Sequence, residues 1–241
     1  MNITPDDIVY WQLGPVTISA TLVFTWVVMA LLVGVSLLVT RRLSTGTRIP
    51  RGQNVLEVLV GGIRDQIKDV TGQAPDRYLP FIGTLFLFIL TSNVLTIVPG
   101  YHPPTGSLST TAALALCVFF AVPIYGIADR GLWGYLKTYA SPHPLMLPFN
   151  ILGELTRTIS LAIRLFGNIM SGTMLAATIL AIAPLFFPII LQFLGLLIGV
   201  IQAYIFSILA LVFISSATRA HPEADDEEVN EEEEEEQNAQ H

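Results

Sequence analysis

Two arginines sit where an apolar chain has little reason to keep them. Arg157 and Arg164 fall inside the stretch 145–183, and no further charged side chain occurs from Leu165 to Thr218. An arginine at the centre of a membrane helix costs about 2.5–3.5 kcal/mol on insertion scales, so it persists only with a partner or a task. Arg157 lies early in the stretch, near enough to an interface to extend toward it, and Glu154 precedes it by three residues on the same helical face. Arg164 has no acid in reach along its own helix. Its face carries Arg157, Leu161, Asn168, Ser171 and Gly172, and a guanidinium keeps its charge at any working pH. The simplest source of a counter-charge is a carboxylate on another polypeptide.

The other apolar stretches hold neutral polar groups, chiefly Asn93, Thr96, Gln192 and Gln202, but no Asp or Glu. Gln192, Gly195, Gly199 and Gln202 are spaced three, four and three apart and so share one helix face. Glycines four apart permit close helix approach, while two glutamines in hydrocarbon need partners or water. The four histidines, His102, His143, His221 and His241, all fall in loops or the tail. No H-E-x-x-H spacing, P-loop, dinucleotide fingerprint or G-x-S-x-G elbow occurs. No metal, cofactor or nucleic acid is expected, and an intramembrane hydrolase or nucleotide-binding enzyme is disfavoured.

These residues need membrane helices to position them. Of the 241 residues 52% are hydrophobic and 13% charged, against about 25% charged in soluble domains. A span needs roughly 20 mostly apolar residues. The expected spans are about 20–40, 79–99, 108–128, 145–183 and 188–216, with a turn at 184–188. As continuous helices the last two are roughly 58 and 43 Å long, longer than the hydrocarbon core of about 30 Å. They are expected to form a steeply tilted hairpin. Between the first two spans, residues 51–72 place Val55, Leu56, Leu59, Val60, Ile63, Ile67 and Val70 on one face, with Glu57, Arg64, Asp65, Lys68 and Asp69 opposite. This is an amphipathic helix lying on the membrane surface or a partner. The fold class is an all-α integral membrane protein with five membrane helices, and residues 1–220 form one membrane domain.

Ten of the twelve Lys and Arg residues follow span one, span three or the last helix, which makes that side cytoplasmic and the N-terminus external. The net charge of −7 misleads, because residues 223–236 hold eleven of the nineteen acids and the remainder carries twelve basic against eight acidic residues. Residues 221–241 are expected to be a disordered, solvated cytoplasmic tail. The opening "MNITPDDIVYWQLGP" has acids where a cleaved signal peptide needs bases, so the chain is read as mature. Cys117 is alone, so no intrachain disulfide forms.

"SLAIRLFGNIMSG" in the penultimate long helix, "GVIQAYIFSILALVFI" in the last and "YLPFIGTLFLFILTSNVLTIVPG" in the second span together resemble subunit a of F-type ATP synthases. The resemblance covers nearly the whole chain apart from the tail. It implies a non-catalytic stator in an energy-coupling membrane, either a bacterial plasma or inner membrane or one of thylakoid type. The implied partners are a c-ring with one ion-binding carboxylate per subunit, the subunit b stator stalk, the remaining synthase subunits and lipid. Two offset half-channels would pass H⁺ to and from the ring, coupling ion flow to rotation and to ATP synthesis or hydrolysis. Arg164 matches the arginine the family places between them. Asn93, Asn168 and Gln202 match polar residues along the external half-channel, and Glu154 and Arg157 lie toward the cytoplasmic exit.

The chain departs from the family pattern at three positions. Thr173 stands where many members carry glutamate, Gly195 where some carry histidine, and Thr96 where some carry aspartate. Water ordered by Asn93, Thr96, Asn168, Thr173, Gln192 and Gln202 suits protons, and neutral oxygens suit hydrated Na⁺ equally, so a sodium-translocating machine is the alternative. A secondary transporter or channel is the reading from a different class, although no internal repeat supports it. A plain structural anchor predicts that Arg164→Leu is tolerated.

Overall fold

The computed structural model describes residues 6, 9–13, 16–41, 51–98, 100–140, 146–182 and 187–218. The acidic tail and residues 184–186 of the expected turn lie outside them. Pro188 instead falls in the first turn of the last helix, where its missing N–H deprives no carbonyl of a partner.

Among the described residues six α-helices follow one another: α1 (Ala20–Thr40), α2 (Arg51–Thr71), α3 (Leu79–Val94), α4 (Leu108–Ala140), α5 (Met146–Ile182) and α6 (Phe187–Thr218). All but α2 contain a segment long and apolar enough to cross a membrane, and the chain is an all-α integral membrane protein. A short antiparallel hairpin precedes α1, with β1 (Val9–Leu13) paired to β2 (Val16–Ser19) and a bulge between Val9 and Trp11. It is an addition to the expected all-helical pattern. Its β-branched and aromatic residues on either side of Gly14 and Pro15 supply the propensity for it.

Helix α6 is the hub, packing against α3, α4 and α5, and α4 also lies along α5. Lipid tails are as apolar as leucine, so helices in a membrane associate through close packing. Small residues on α6 serve that need: Ala203 and Ala210 are fully buried, and Gly199 abuts Asn93 of α3. The α3 face that meets them carries Ile82, Leu85 and Ile89, while Leu161 and Leu165 of α5 complete the core. Against this, α1 presents Trp26, Val33, Leu37 and Leu38 outward, as expected of a helix facing lipid.

Helix α4 bends at Gly131, whose φ of 72° lies in the left-handed region, accessible to glycine without a Cβ penalty. The expected third span therefore ends near Asp129, and the chain folds back so that Tyr135 reaches Gly126. A Cβ on Gly126 would lie 2.5 Å from the Tyr135 ring and 3.4 Å from the Ala217 carbonyl oxygen. Tyr135 is itself buried and has little room to retreat. Gly126→Ala is expected to cost about 1–3 kcal/mol by overpacking, read as a lower thermal midpoint and poorer yield of the purified protein. A wild-type midpoint would mean that the ring moves aside freely.

Near this bend the start of α3 is tied to the ends of α4 and α6. Arg77 pairs with Asp129 and lies over the Tyr125 ring, 5.5 Å from its centroid. Tyr78 stacks on Tyr125 and its hydroxyl lies 3.2 Å from Thr218 Oγ1. Arg64 of α2 pairs with Asp76, and Ile67 turns inward from the apolar face of α2. These contacts fix the register of α3 against α6, on which the polar seam depends.

Candidate functional site

Polar groups collect in two places along α6, with apolar packing between them. The first is the seam with α3. Asn93 is 4% exposed, and its Nδ2 donates to the Gly199 carbonyl at 2.8 Å. That carbonyl belongs to the α6 ladder, so Asn93 takes its second lone pair without breaking the helix. Thr105 Oγ1, fully buried in the turn before α4, donates to Asn93 Oδ1 at 3.1 Å. Gln192 Nε2 donates to the Thr96 carbonyl at 3.0 Å, while the Thr96 hydroxyl returns to the Asn93 carbonyl at 2.6 Å. Gln202 is 6% exposed, and among the described residues its Nε2 meets no protein acceptor. A buried amide N–H₂ without an acceptor is costly, and the group that would satisfy it is an acceptor, a water oxygen or a carboxylate.

The second collection lies toward the other end of α6. A cavity of about 320 Å³ opens between α4, α5 and α6, lined by Asn150, Glu154, Arg157, Thr158, Phe213 and Ser216 among others. Arg157 does more here than extend to an interface, because its guanidinium lies over the Phe213 ring, 5.6 Å from the centroid. A cation–π contact of this kind holds the charge beside the cavity. Thr158 Oγ1 caps the Glu154 carbonyl at 2.9 Å.

From Gln202 to Phe213 the rise along α6 is about 16 Å. That interval is packed with buried Ala203, Phe206, Ala210 and Leu211, and the Ser207 hydroxyl is spent on the Ala203 carbonyl. The cavity of about 290 Å³ that opens beside it toward α2 and α3 is lined mostly by apolar side chains. Counting equal rise along the antiparallel helices from the Arg157–Phe213 contact, Arg164 comes level with Phe206 and Asn168 with Gln202. Arg164 is exposed beside fully buried Leu165, so its charge flanks the packed interval and faces outward. Among the described residues the ion pairs are Arg64–Asp76 and Arg77–Asp129, and neither involves Arg164.

The structure thus joins Asn93, Thr96 and Gln192 directly and leaves Gln202 about one turn beyond Gly199, the α6 residue that Asn93 meets. It places Glu154 and Arg157 at the separate cavity. Asn168 and Thr173 remain on the open side of α5, and the Thr173 hydroxyl returns to the Met170 carbonyl at 2.9 Å. Open space surrounds the Gly195 position. Thr105 was not foreseen from the sequence. It lies in a Pro-Pro-Thr-Gly turn and reaches Asn93 only through the loop that joins α3 to α4.

Comparison with known proteins covers the whole arrangement. The sequence model of the family described as ATP synthase A chain matches residues 22–215. The chain is 60% identical to ATP synthase subunit a 2 of Acaryochloris marina over 232 residues, covering 95% of this chain and 99% of that one. It is 60% identical to ATP synthase subunit a 1 of Chlorobaculum parvum over 224 residues, 93% of this chain and 99% of that one. ATP synthase subunit a of Albidiferax ferrireducens is 56% identical over 219 residues, 91% and 95% of the two chains.

Proposed function

Since the chain belongs to the ATP synthase A chain family, we propose that it is the stator against which a ring of c subunits turns, passing the coupling ion through two half-channels that do not meet. The single observation that supports this reading is the pair of polar regions on α6, separated by about 16 Å of mainly apolar packing, with Arg164 level with the gap. In this reading an ion arrives along Asn93, Thr96, Thr105, Gln192 and Gln202, loads a rotor carboxylate near Asn168, and leaves after nearly a full turn through the cavity at Glu154 and Arg157. Arg164 cannot pass a proton, because its guanidinium stays charged. It attracts each incoming carboxylate in its ionised form and repels cations that would cross directly between the two regions. The partners are the c-ring and the subunit b stalk, with the N-terminus outside and the acidic tail in the cytoplasm.

The coupling ion in this reading is H⁺. One observation favours Na⁺ instead: the described side chains of the α3–α6 seam offer neutral oxygens, the ligands a hard cation takes. ATP-driven ²²Na⁺ uptake by proteoliposomes holding the purified complex, with a protonophore present, separates the two. Uptake that persists under protonophore identifies sodium. Absence of uptake, in vesicles that acidify once the protonophore is omitted, identifies protons. Vesicles that transport neither ion although ATPase activity is intact would sink the stator reading.

A further inference from the structure

At the end from which α1 and α4 start, one carboxylate is bonded to the turn that also reaches the buried seam. Asp6 Oδ1 accepts from Thr21 Oγ1 at 2.6 Å, and Oδ2 accepts from Ser107 Oγ. Ser107 Oγ lies 2.7 Å from Ser109 Oγ. Asp6 is exposed, whereas Ser107 and Thr105 are fully buried two residues apart on the same turn. Thr105 then meets Asn93, and Asn93 meets Gly199. Polar groups therefore lead from a solvent-facing carboxylate inward to α6, where Gln202 Nε2 is buried without an acceptor. His102 Nδ1, in the same loop as this turn, is likewise buried without a partner among the described residues.

The remaining described acids lie elsewhere. Glu57, Asp65, Asp69 and Asp76 are on or just after α2, Asp129 is beside the Gly131 bend of α4, and Glu154 is at the separate cavity. A seam of neutral oxygens has no charge with which to concentrate a cation. A carboxylate at the mouth of a low-dielectric path does concentrate one, and Asp6, with two hydroxyl donors on about four acceptor sites, has sites to spare.

We propose that Asp6 is the ion-gathering residue at the external mouth of the path, and that the Thr105–Ser107 turn links it to Asn93 and Gln202. This rests on the stator reading. The competing role is a tether: negative charge between the N-termini of α1 and α4 is favourable in itself, and Asp6 would then only hold the N-terminal segment in place.

The test is potential-driven ATP synthesis by the whole complex in proteoliposomes, with the concentration of the coupling ion, H⁺ or Na⁺, varied in the vesicle lumen, the side that the Asp6 mouth faces when ADP is supplied outside. Tyr101 and His102 are the other described titratable groups of the adjoining loop, and every variant retains them. Burial pushes the Tyr101 phenol up, so it stays neutral throughout. Asp6→Asn is expected to raise the half-saturating ion concentration about fivefold, the effect of one unit charge about 4 Å away in water. The maximal rate should stay within about twofold, and the difference should shrink at high choline chloride as the charge is screened. Asp6→Glu should restore half-saturation. Thr21→Val, which loosens the tether and keeps the charge, should leave it unchanged. A maximal rate that falls while half-saturation holds, or a Thr21→Val shift equal to that of Asp6→Asn, overturns the proposal. Should Asp6→Asn give no complex, Asp6→Ser, which keeps a polar partner for Thr21 and Ser107, decides on the same two parameters. A raised half-saturation at near wild-type maximal rate supports the proposal and an unchanged half-saturation overturns it. Arg164→Leu in the same vesicles reports on the stator reading separately, because ion-driven synthesis by that variant would sink it whatever Asp6 does.

Discussion

Arg164→Leu is expected to leave the chain inserted and assembled while ATP synthesis and ATP-driven ion uptake fall at least about a hundredfold. The size follows from the geometry. Arg164 is exposed on α5 and belongs to neither described ion pair, so its removal breaks no described salt bridge. Leucine also removes an insertion cost of about 2.5–3.5 kcal/mol, so a purely structural account predicts an equal or more stable protein with full activity. The stator account predicts the reverse for activity, because without the guanidinium nothing holds the rotor carboxylate ionised as it crosses the packed interval at Phe206. Arg164→Lys is expected to recover little. An ammonium is a compact point charge whose pKa falls on burial, and it lacks the planar fork that meets a carboxylate with two donors. Co-purification with the ring and ion uptake in proteoliposomes are the two readouts. Full uptake with either variant refutes the role given to Arg164.

The elements that hold this arginine were legible from the chain, because hydrophobic length and charge placement are local properties. Ala20–Thr40 ends as expected before Arg41 and Arg42, and α2 covers the amphipathic stretch almost to the residue. What the sequence concealed lies between elements. The face of Gln192, Gly195, Gly199 and Gln202 read as one stripe, yet its members have different fates. Gln192 meets Thr96, Gly195 faces open space, Gly199 is pressed against Asn93, and Gln202 is buried. Helical spacing says which residues share a face but not which neighbour covers it. Arg157 illustrates the same limit. Glu154 is the partner that spacing offers, whereas the ring of Phe213 is supplied by another helix. Thr105 and the β1–β2 hairpin were missed for a related reason: a loop threonine carries no periodic signal, and two short strands flanking an apolar helix are masked by its hydrophobicity.

The seam makes a second strong prediction, since Asn93 and Gly199 are fitted to each other. A Cβ on Gly199 would stand 2.9 Å from Asn93 Cβ and 3.2 Å from its Cγ and Nδ2. Those atoms belong to a buried side chain held by Gly199 and Thr105, so the neighbour cannot yield without losing its hydrogen bonds. Gly199→Ala is therefore expected to destabilise the protein by about 1–3 kcal/mol through overpacking, and to lower ion transport at least about tenfold by displacing the Asn93 amide. Asn93→Ala alone loses the buried hydrogen bonds at a cost of about 1–3 kcal/mol, with less disturbance of the backbone. The informative variant is Asn93→Gly with Gly199→Ala, which moves the Cβ from one helix to the other. It relieves the overlap but keeps the cost of the lost amide bonds and adds that of a glycine within α3. Its thermal midpoint is therefore expected to lie above the sum of the two single losses without reaching wild type, while transport stays low because no amide remains between Thr105 and α6. Transport restored together with the midpoint would mean that the seam serves packing alone and that the ion takes another route.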